Sequence, residues 1–165
     1  MKVSILLLTI DRYDLTRIYV GNALKQAGIE YDLCITDNGS TDKRIFEWCE
    51  QQKPKVYNKN TKNEGTAQSL NRMIAQNPSD YYVFIGNDIQ LPNNWLKSMI
   101  ETASRIEDSG VVGIDWMHKE YPTHTYNGVE VWHTDRTFGT MLVSQKLRDK
   151  LGNFCEEYGT YGLWD

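Results

Sequence analysis

Tyr81-Tyr82-Val83-Phe84-Ile85-Gly86-Asn87-Asp88-Ile89-Gln90-Leu91-Pro92 is the stretch on which the reading of this chain turns. It opens as an apolar, aromatic run of strand length. Such a run, without polar alternation, suits a strand buried on both faces of a parallel sheet. It breaks at Gly86-Asn87-Asp88, a cluster of turn formers. An acidic side chain is thereby delivered just past the carboxyl end of a central strand, on the rim where open α/β sheets bind ligands. Alone, Asp88 reads equally well as a turn residue bonded to its own backbone. Its surroundings decide between the two.

On the amino-terminal side, Val3 to Leu8 is a buried-strand candidate stopping at Thr9-Ile10-Asp11-Arg12. Asp14 is placed to cap a helix through Leu15, Ile18, Tyr19 and Leu24, with Gly28 as its stop. Tyr31 to Thr36 is the second strand. It ends in Asp37-Asn38-Gly39-Ser40-Thr41-Asp42, where Thr41 or Asp42 opens a helix with Ile45, Phe46 and Cys49 on one face. Val56-Tyr57 is a short strand. Asn63-Glu64-Gly65 leads into a helix from Thr66 that ends near Asn77-Pro78. Beyond the central strand, Pro92 and Asn93 start a helix whose inner stripe is Trp95, Leu96, Met99 and Ile100. Val111 to Asp115 is the next strand, residues 116–136 resist assignment, and Phe138 to Val143 is a last strand before a short helix to Leu151. Strand and helix alternate at least four times. The expected fold is therefore α/β: one domain, with a mostly parallel central sheet flanked by helices.

With 165 residues, 40% of them hydrophobic, the chain can bury one sizeable core. A net charge of −4 leaves no global basic field to hold nucleic acid. Three widely spaced cysteines suit reduced thiols in a cytoplasmic protein, with Cys34 a small core residue. The opening apolar run, Val3 to Leu8, is too short to span a membrane and lacks a signal-peptide cleavage pattern. There is no repeat or low-complexity tract.

Three acids, Asp11, Asp37 and Asp88, each follow an apolar strand, and parallel strands bring such ends to one rim. Any one of them could simply start a turn or cap. Three together, with Asn38 and Asp42 beside them, favour a ligand site. No phosphate-cradling glycine loop follows the first strand. The charge of a nucleotide ligand would then be met by a divalent cation, Mn²⁺ or Mg²⁺, held by Asp88 against the pyrophosphate. Asp37 or Asp11 could accept the imide N–H of a uracil-like base.

The order Asp37-Asn38-Gly39-Ser40-Thr41-Asp42, Asn63-Glu64-Gly65 with Asn71, and Gly86-Asn87-Asp88 with Pro92 and Trp95 resembles the family 2 glycosyltransferases of the GT-A fold. The closest likeness is to rhamnosyltransferase-like members. It continues through Phe138 to Leu142, Gly152-Asn153-Phe154, and Glu156 to Asp165, so it covers nearly the whole chain. Each motif alone is weak, and together, in the right order, they are strong.

The resemblance implies roles position by position. Thr9 and Asp11 line the nucleotide pocket, and Asp37 with its neighbour Asn38 faces the base. Asn63 and Gly65 form the loop near the diphosphate, with Asn71 or Arg72 beside it, and Asn87 sits within the metal signature. Asp88 matches the last acid of the family's Asp-x-Asp signature and should ligate Mn²⁺ or Mg²⁺. Asp165 matches the last acid of the Glu-Asp pair, the general base of an inverting transferase. Two positions depart from the pattern. Gly86 stands where the first metal acid is expected, which makes His133 a candidate additional ligand. Trp164 stands where the acid pair normally begins, and its indole could stack on a sugar face or pack. Family members continue past the position of Asp165, so a GT-A domain over 1–165 is expected to lack C-terminal elements.

The expected activity is therefore inverting transfer of a hexosyl or pentosyl group from a UDP- or dTDP-linked sugar to an acceptor hydroxyl. That acceptor could be a glycan, a lipid carrier, a protein or a modified base. Two rivals are a non-catalytic or truncated nucleotide-sugar-binding domain and an α/β nucleotidyltransferase. The second would usually carry a glycine- and basic-rich loop after strand one, which Thr9-Ile10-Asp11-Arg12 is not.

Overall fold

A computed structural model describes residues 1–106, 109–114, 123–132, 139–157 and 159. The apolar runs become β1 (Val3–Thr9), β2 (Asp32–Asp37), β3 (Val56–Lys59) and β4 (Tyr81–Ile85), all mutually parallel. They are joined by α1 (Tyr13–Lys25), α2 (Lys43–Gln51) and α3 (Thr66–Gln76). After β4 come α4 (Trp95–Arg105), the short β5 (Val112–Gly113), a hairpin of β6 (Thr123–Tyr126) and β7 (Val129–Trp132), then β8 (Thr140–Ser144) and α5 (Gln145–Leu151). The main sheet has the order β3-β2-β1-β4-β8-β5, with β8 antiparallel to both of its neighbours.

Alternation along each strand divides the core between the two faces of the sheet. Ile5, Leu7, Ile35, Val83, Ile85 and Leu142 join the inner residues of α1, α2 and α4 in one large cluster. Leu6, Cys34 and Tyr82 meet Leu70, Met73 and Ile74 of α3 on the other. Trp95 anchors α4, since its buried indole Nε1 donates to Ala23 O of α1 at 2.8 Å. Buried Leu96, Met99 and Ile100 complete the inner stripe that helical spacing predicts. Asp42 caps α2 by accepting from Arg44 N at 3.0 Å. Burial pushes the Cys34 thiol up to about 11 and the Cys49 thiol up to about 12, so both are inert core groups.

Several local expectations are corrected. Asp14 does not cap α1. The chain turns through two successive left-handed residues, Asp11 (φ 47°) and Arg12 (φ 53°), so the helix begins at Tyr13 with Asp14 in its first turn. The inner face of α1 is Thr16, Val20, Ala23 and Leu24, and Leu15 and Ile18 face solvent. The helix after β4 starts at Trp95 rather than at Pro92 or Asn93. Of Val111 to Asp115 only Val112–Gly113 is strand, and Asp115 lies outside the described residues. The last strand runs Thr140–Ser144, with Gly139 outside it and Phe138 beyond the described residues. Within the stretch that resisted assignment, Asn127-Gly128 forms a tight turn with φ 49° and 78° between β6 and β7. An Asn-Gly pair between strand-like runs is a strong hairpin signal.

Candidate functional site

Parallel β1, β2 and β4 bring their carboxyl ends to one rim, and the loops that follow them carry the predicted residues. Asp37, the final residue of β2, is fully buried, as is Thr9 at the end of β1. The Thr9 hydroxyl donates to Asp37 Oδ2 at 3.1 Å, and Ser40 N donates to Asp37 Oδ1 at 2.9 Å. The Ser40 hydroxyl also donates to Asp37 Oδ2, while Ser40 Oγ accepts from Asp11 N at 2.7 Å. A buried carboxylate is tolerated only when its lone pairs are used. Here they are used to join the β1–α1 and β2–α2 loops.

Asp11 is only partly buried. Its Oδ1 accepts from Thr41 N at 2.7 Å and Asp42 N at 3.1 Å. Those backbone N–H groups, Asp42's first and then Thr41's, hold its carboxyl below the usual 3.8. Its other oxygen has no hydrogen-bond partner among the described residues. Asp11 therefore keeps one oxygen without a partner among the described residues, whereas both oxygens of Asp37 already accept hydrogen bonds.

A second knot closes the next gap on the rim. Asn38 Nδ2 donates to Asn63 Oδ1 at 2.7 Å, and Asn38 Oδ1 accepts from Asn60 Nδ2 at 2.9 Å and Glu64 N at 3.0 Å. Asn63 Oδ1 also accepts from Gly65 N at 2.9 Å, at the start of α3. Arg72 ties the far side, donating to Glu64 Oε2 at 3.0 Å and Asn60 Oδ1 at 2.6 Å. The chain passes so close that a Cβ on Gly39 (φ 92°) would sit 2.7 Å from the Lys62 carbonyl carbon. Asn71 faces elsewhere: its amide donates to Phe154 O and Glu156 Oε1, and its Oδ1 accepts from Phe154 N.

At the end of β4, Gly86 N donates to Gly139 O at 2.7 Å, which pins the loop to the start of β8. A Cβ on Gly86 would find only ordinary contacts, at 3.5 Å from Asp88 Oδ1 and Gly139 O, so the glycine is not forced by space. Asn87 Nδ2 is buried with no hydrogen-bond partner among the described residues. Asp88 is half exposed, and its Oδ2 lies 2.5 Å from Nη1 of Arg12.

Thr9, Asp11, Asp37, Asn38, Asn63, Gly65, Asn87 and Asp88 thus gather on one rim, and Asn71 is committed to the segment around Phe154. Asp165 and His133 lie outside the described residues. Among the described residues no three His, Cys, Asp or Glu side chains converge as a metal cage. The donor chemistry still suits Mn²⁺ or Mg²⁺, which is commonly held by one or two carboxylates with phosphate oxygens completing the shell. The carboxylate of Asp88 already carries a cation, the Arg12 guanidinium. Ser40, Asn60, Glu64 and Arg12 are site residues that sequence reasoning passed over. Ser40 was the most accessible of these, because an Asp-x-x-Ser turn commonly closes on its own carboxylate.

Fold and rim together define a GT-A glycosyltransferase architecture. The chain belongs to Glycosyl transferase family 2, whose sequence profile matches residues 4–159. Among solved structures it is similar to a mannosyltransferase, PcManGT from Pyrobaculum calidifontis, in complex with GDP-Man and Mn²⁺ (TM-score 0.67, 16% identity, 94% of this chain and 48% of that one). It is also similar to S. aureus TarS 1-349 (TM-score 0.65, 17% identity, 96% of this chain and 51% of that one). The chain spans about half the length of each. Comparison with curated proteins finds no match.

Proposed function

We propose that the chain is the donor-binding core of an inverting glycosyltransferase that uses a nucleoside diphosphate sugar. The observation that carries this reading is the convergence on one rim of the half-exposed Asp88 carboxylate with two groups that have no partner among the described residues, one carboxylate oxygen of Asp11 and the buried amide nitrogen of Asn87. The family and the two similar structures support it.

In this reading Asp11 accepts the imide N–H of a uracil or thymine base, which sets the preference for UDP- or dTDP-linked hexoses or pentoses. Asp37 keeps the pocket in shape from beneath. Asn87 Nδ2 donates to an oxygen of the diphosphate or sugar, filling its empty hydrogen-bonding capacity. Asp88 would hold Mn²⁺ or Mg²⁺, which when bound stabilises the charge on the departing diphosphate. The acceptor hydroxyl oxygen bonds to the anomeric carbon from the side opposite the diphosphate. The carbon–oxygen bond to the diphosphate breaks with its electron pair on that oxygen, and the hydroxyl proton passes to a carboxylate, the role the resemblance gives to Asp165. Free cysteines suit a reducing compartment, and we place the protein in the cytoplasm. Among the described residues no helix is long and apolar enough to cross a membrane.

The test is titration calorimetry of UDP, dTDP and GDP with and without Mn²⁺, followed by transfer assays on the corresponding sugars. Tighter diphosphate binding with Mn²⁺ and a pyrimidine preference are expected. Failure of all three to bind overturns the reading.

A further inference from the structure

The pair formed by Arg12 and Asp88 is an unusual use of two charged side chains. They are 76 positions apart, Arg12 is exposed and Asp88 half exposed, and they meet at 2.5 Å on the rim. A surface ion pair of this kind contributes little to stability. The backbone that delivers Arg12 is nevertheless costly. Asp11 and Arg12 are consecutive non-glycine residues in the left-handed region, a strained arrangement unless the surroundings hold it. The surroundings do hold it, through Ser40 Oγ on Asp11 N and the N–H groups of Thr41 and Asp42 on Asp11 Oδ1. Strain maintained by a network and aimed at a ligand-facing carboxylate points to function rather than to folding.

Charge balance suggests what the guanidinium does. Gly86 contributes no second carboxylate beside Asp88. A departing nucleoside diphosphate carries more negative charge than one divalent cation on one carboxylate offsets. Arg12 is the cation that already touches that carboxylate. Its planar fork suits paired phosphate oxygens better than an ammonium does.

We propose that Arg12 is an exchangeable counter-cation: it occupies Asp88 in the empty site and moves onto the donor's diphosphate when a divalent cation takes the carboxylate. The inference rests on the donor reading above and adds a positioning residue to it. Arg12 then opposes metal binding when no nucleotide is present and favours nucleotide binding when metal is present. These two effects have opposite signs, and an ordinary surface pair would give only the first.

The experiment compares the wild-type chain with Arg12→Gln and Arg12→Lys, using two readouts other than turnover. The first is Mn²⁺ affinity without nucleotide, from the free-ion electron paramagnetic resonance signal. The second is calorimetric affinity, at saturating Mn²⁺, for the tightest of UDP, dTDP and GDP and for its nucleoside without phosphates. Arg12→Gln should bind Mn²⁺ several-fold more tightly and the diphosphate about tenfold more weakly, the scale of one lost charge-assisted contact. The nucleoside should be unaffected, and Arg12→Lys should recover only part of the diphosphate loss. Unchanged values in both readouts, or a change in one alone, overturn the exchange while leaving the donor reading intact. Failure of the wild-type chain to bind any of the three diphosphates overturns both. A circular dichroism melt matching the wild type shows that the variants are folded.

Discussion

Asn38 and Asn63 are joined at 2.7 Å from amide nitrogen to amide oxygen, and this bond holds the loop after β2 against the loop before α3. Asn38 is almost completely buried, and its own oxygen accepts from Glu64 N and Asn60 Nδ2. Asn38→Ala strands those donors and should cost about 1–3 kcal/mol, the penalty for buried groups left unpaired. Asn38→Asp keeps the acceptor but sets a carboxylate against Asn63 Oδ1. It should also destabilise, and more so as pH rises above the carboxyl's range. Urea denaturation of both variants at two pH values checks this, and a neutral Asn38→Ala would remove the knot from the account.

Asp88→Asn should keep the fold, because the side chain is half exposed at a loop end. Binding of UDP in the presence of Mn²⁺ should fall by on the order of tenfold or more, about 1.4 kcal/mol. Binding without metal should not fall, because the substitution frees the Arg12 guanidinium that Asp88 holds. Calorimetry under both conditions separates the outcomes, and equal affinity of variant and wild type in Mn²⁺ takes Asp88 out of the metal site.

Asp11 and Asp37 should separate cleanly. Asp11→Ala removes the carboxylate with a free oxygen and should weaken UDP by about 1.5–3 kcal/mol, with inorganic pyrophosphate much less affected. Asp37→Ala leaves the Thr9 and Ser40 hydroxyls and Ser40 N without an acceptor, so its main effect should be on the melting temperature. A base-specific loss from Asp37→Asn with unchanged stability would reverse the assignment.

Acid should loosen the same loop. The folded Asp11 carboxyl sits below the usual 3.8, so its contribution is fully present above that value and disappears as pH falls through the lower, folded one. The stability difference between wild type and Asp11→Asn should therefore be largest near neutrality and shrink as pH falls through 3.8 and below it. Melts across that range test it, and a constant difference would mean that the N–H groups of Asp42 and Thr41 do not favour the charged form.

Gly39→Ala should be disproportionately harmful. The residue has φ 92°, and the added methyl would meet the backbone of Lys62 at 2.7 and 2.8 Å. Strain and clash together should exceed about 1 kcal/mol. Because the clash pushes the Lys62-Asn63 loop away, nucleotide affinity should fall too. Unchanged urea midpoints would show that the two loops are not held this close in solution.

The parts of the fold that could be read in advance were those written in local chemistry. Continuous apolar runs marked β1, β2 and β4, and the Trp95, Leu96, Met99, Ile100 spacing marked the inner face of α4. The inner face of α1 was misread because Leu15 and Ile18 share its apolar character with the truly buried Val20 and Ala23, and only the left-handed turn at Asp11 and Arg12 sets the helix's phase. That turn is held by Ser40, Thr41 and Asp42, about 30 positions away. The contact between Arg12 and Asp88 was illegible for the same reason, since nothing local to either residue points to the other. Acids at strand ends, by contrast, followed from parallel topology alone. The hairpin at Asn127-Gly128 was legible and was missed, its turn signal lost among aromatic and polar neighbours.

The position of β8 between β4 and β5 also bears on how the protein is made. Strands β1 to β4 are complete once residue 85 has been added, but the partner for the outer edge of β4 is residues 140–144. At about 5–20 residues per second, a ribosome needs roughly 3–11 s to supply the intervening segment. Through that interval the nascent chain carries an open, aromatic strand edge, the kind of template that recruits strands from other chains. The strand that presents Asp88 is thus the one most in need of shelter during synthesis.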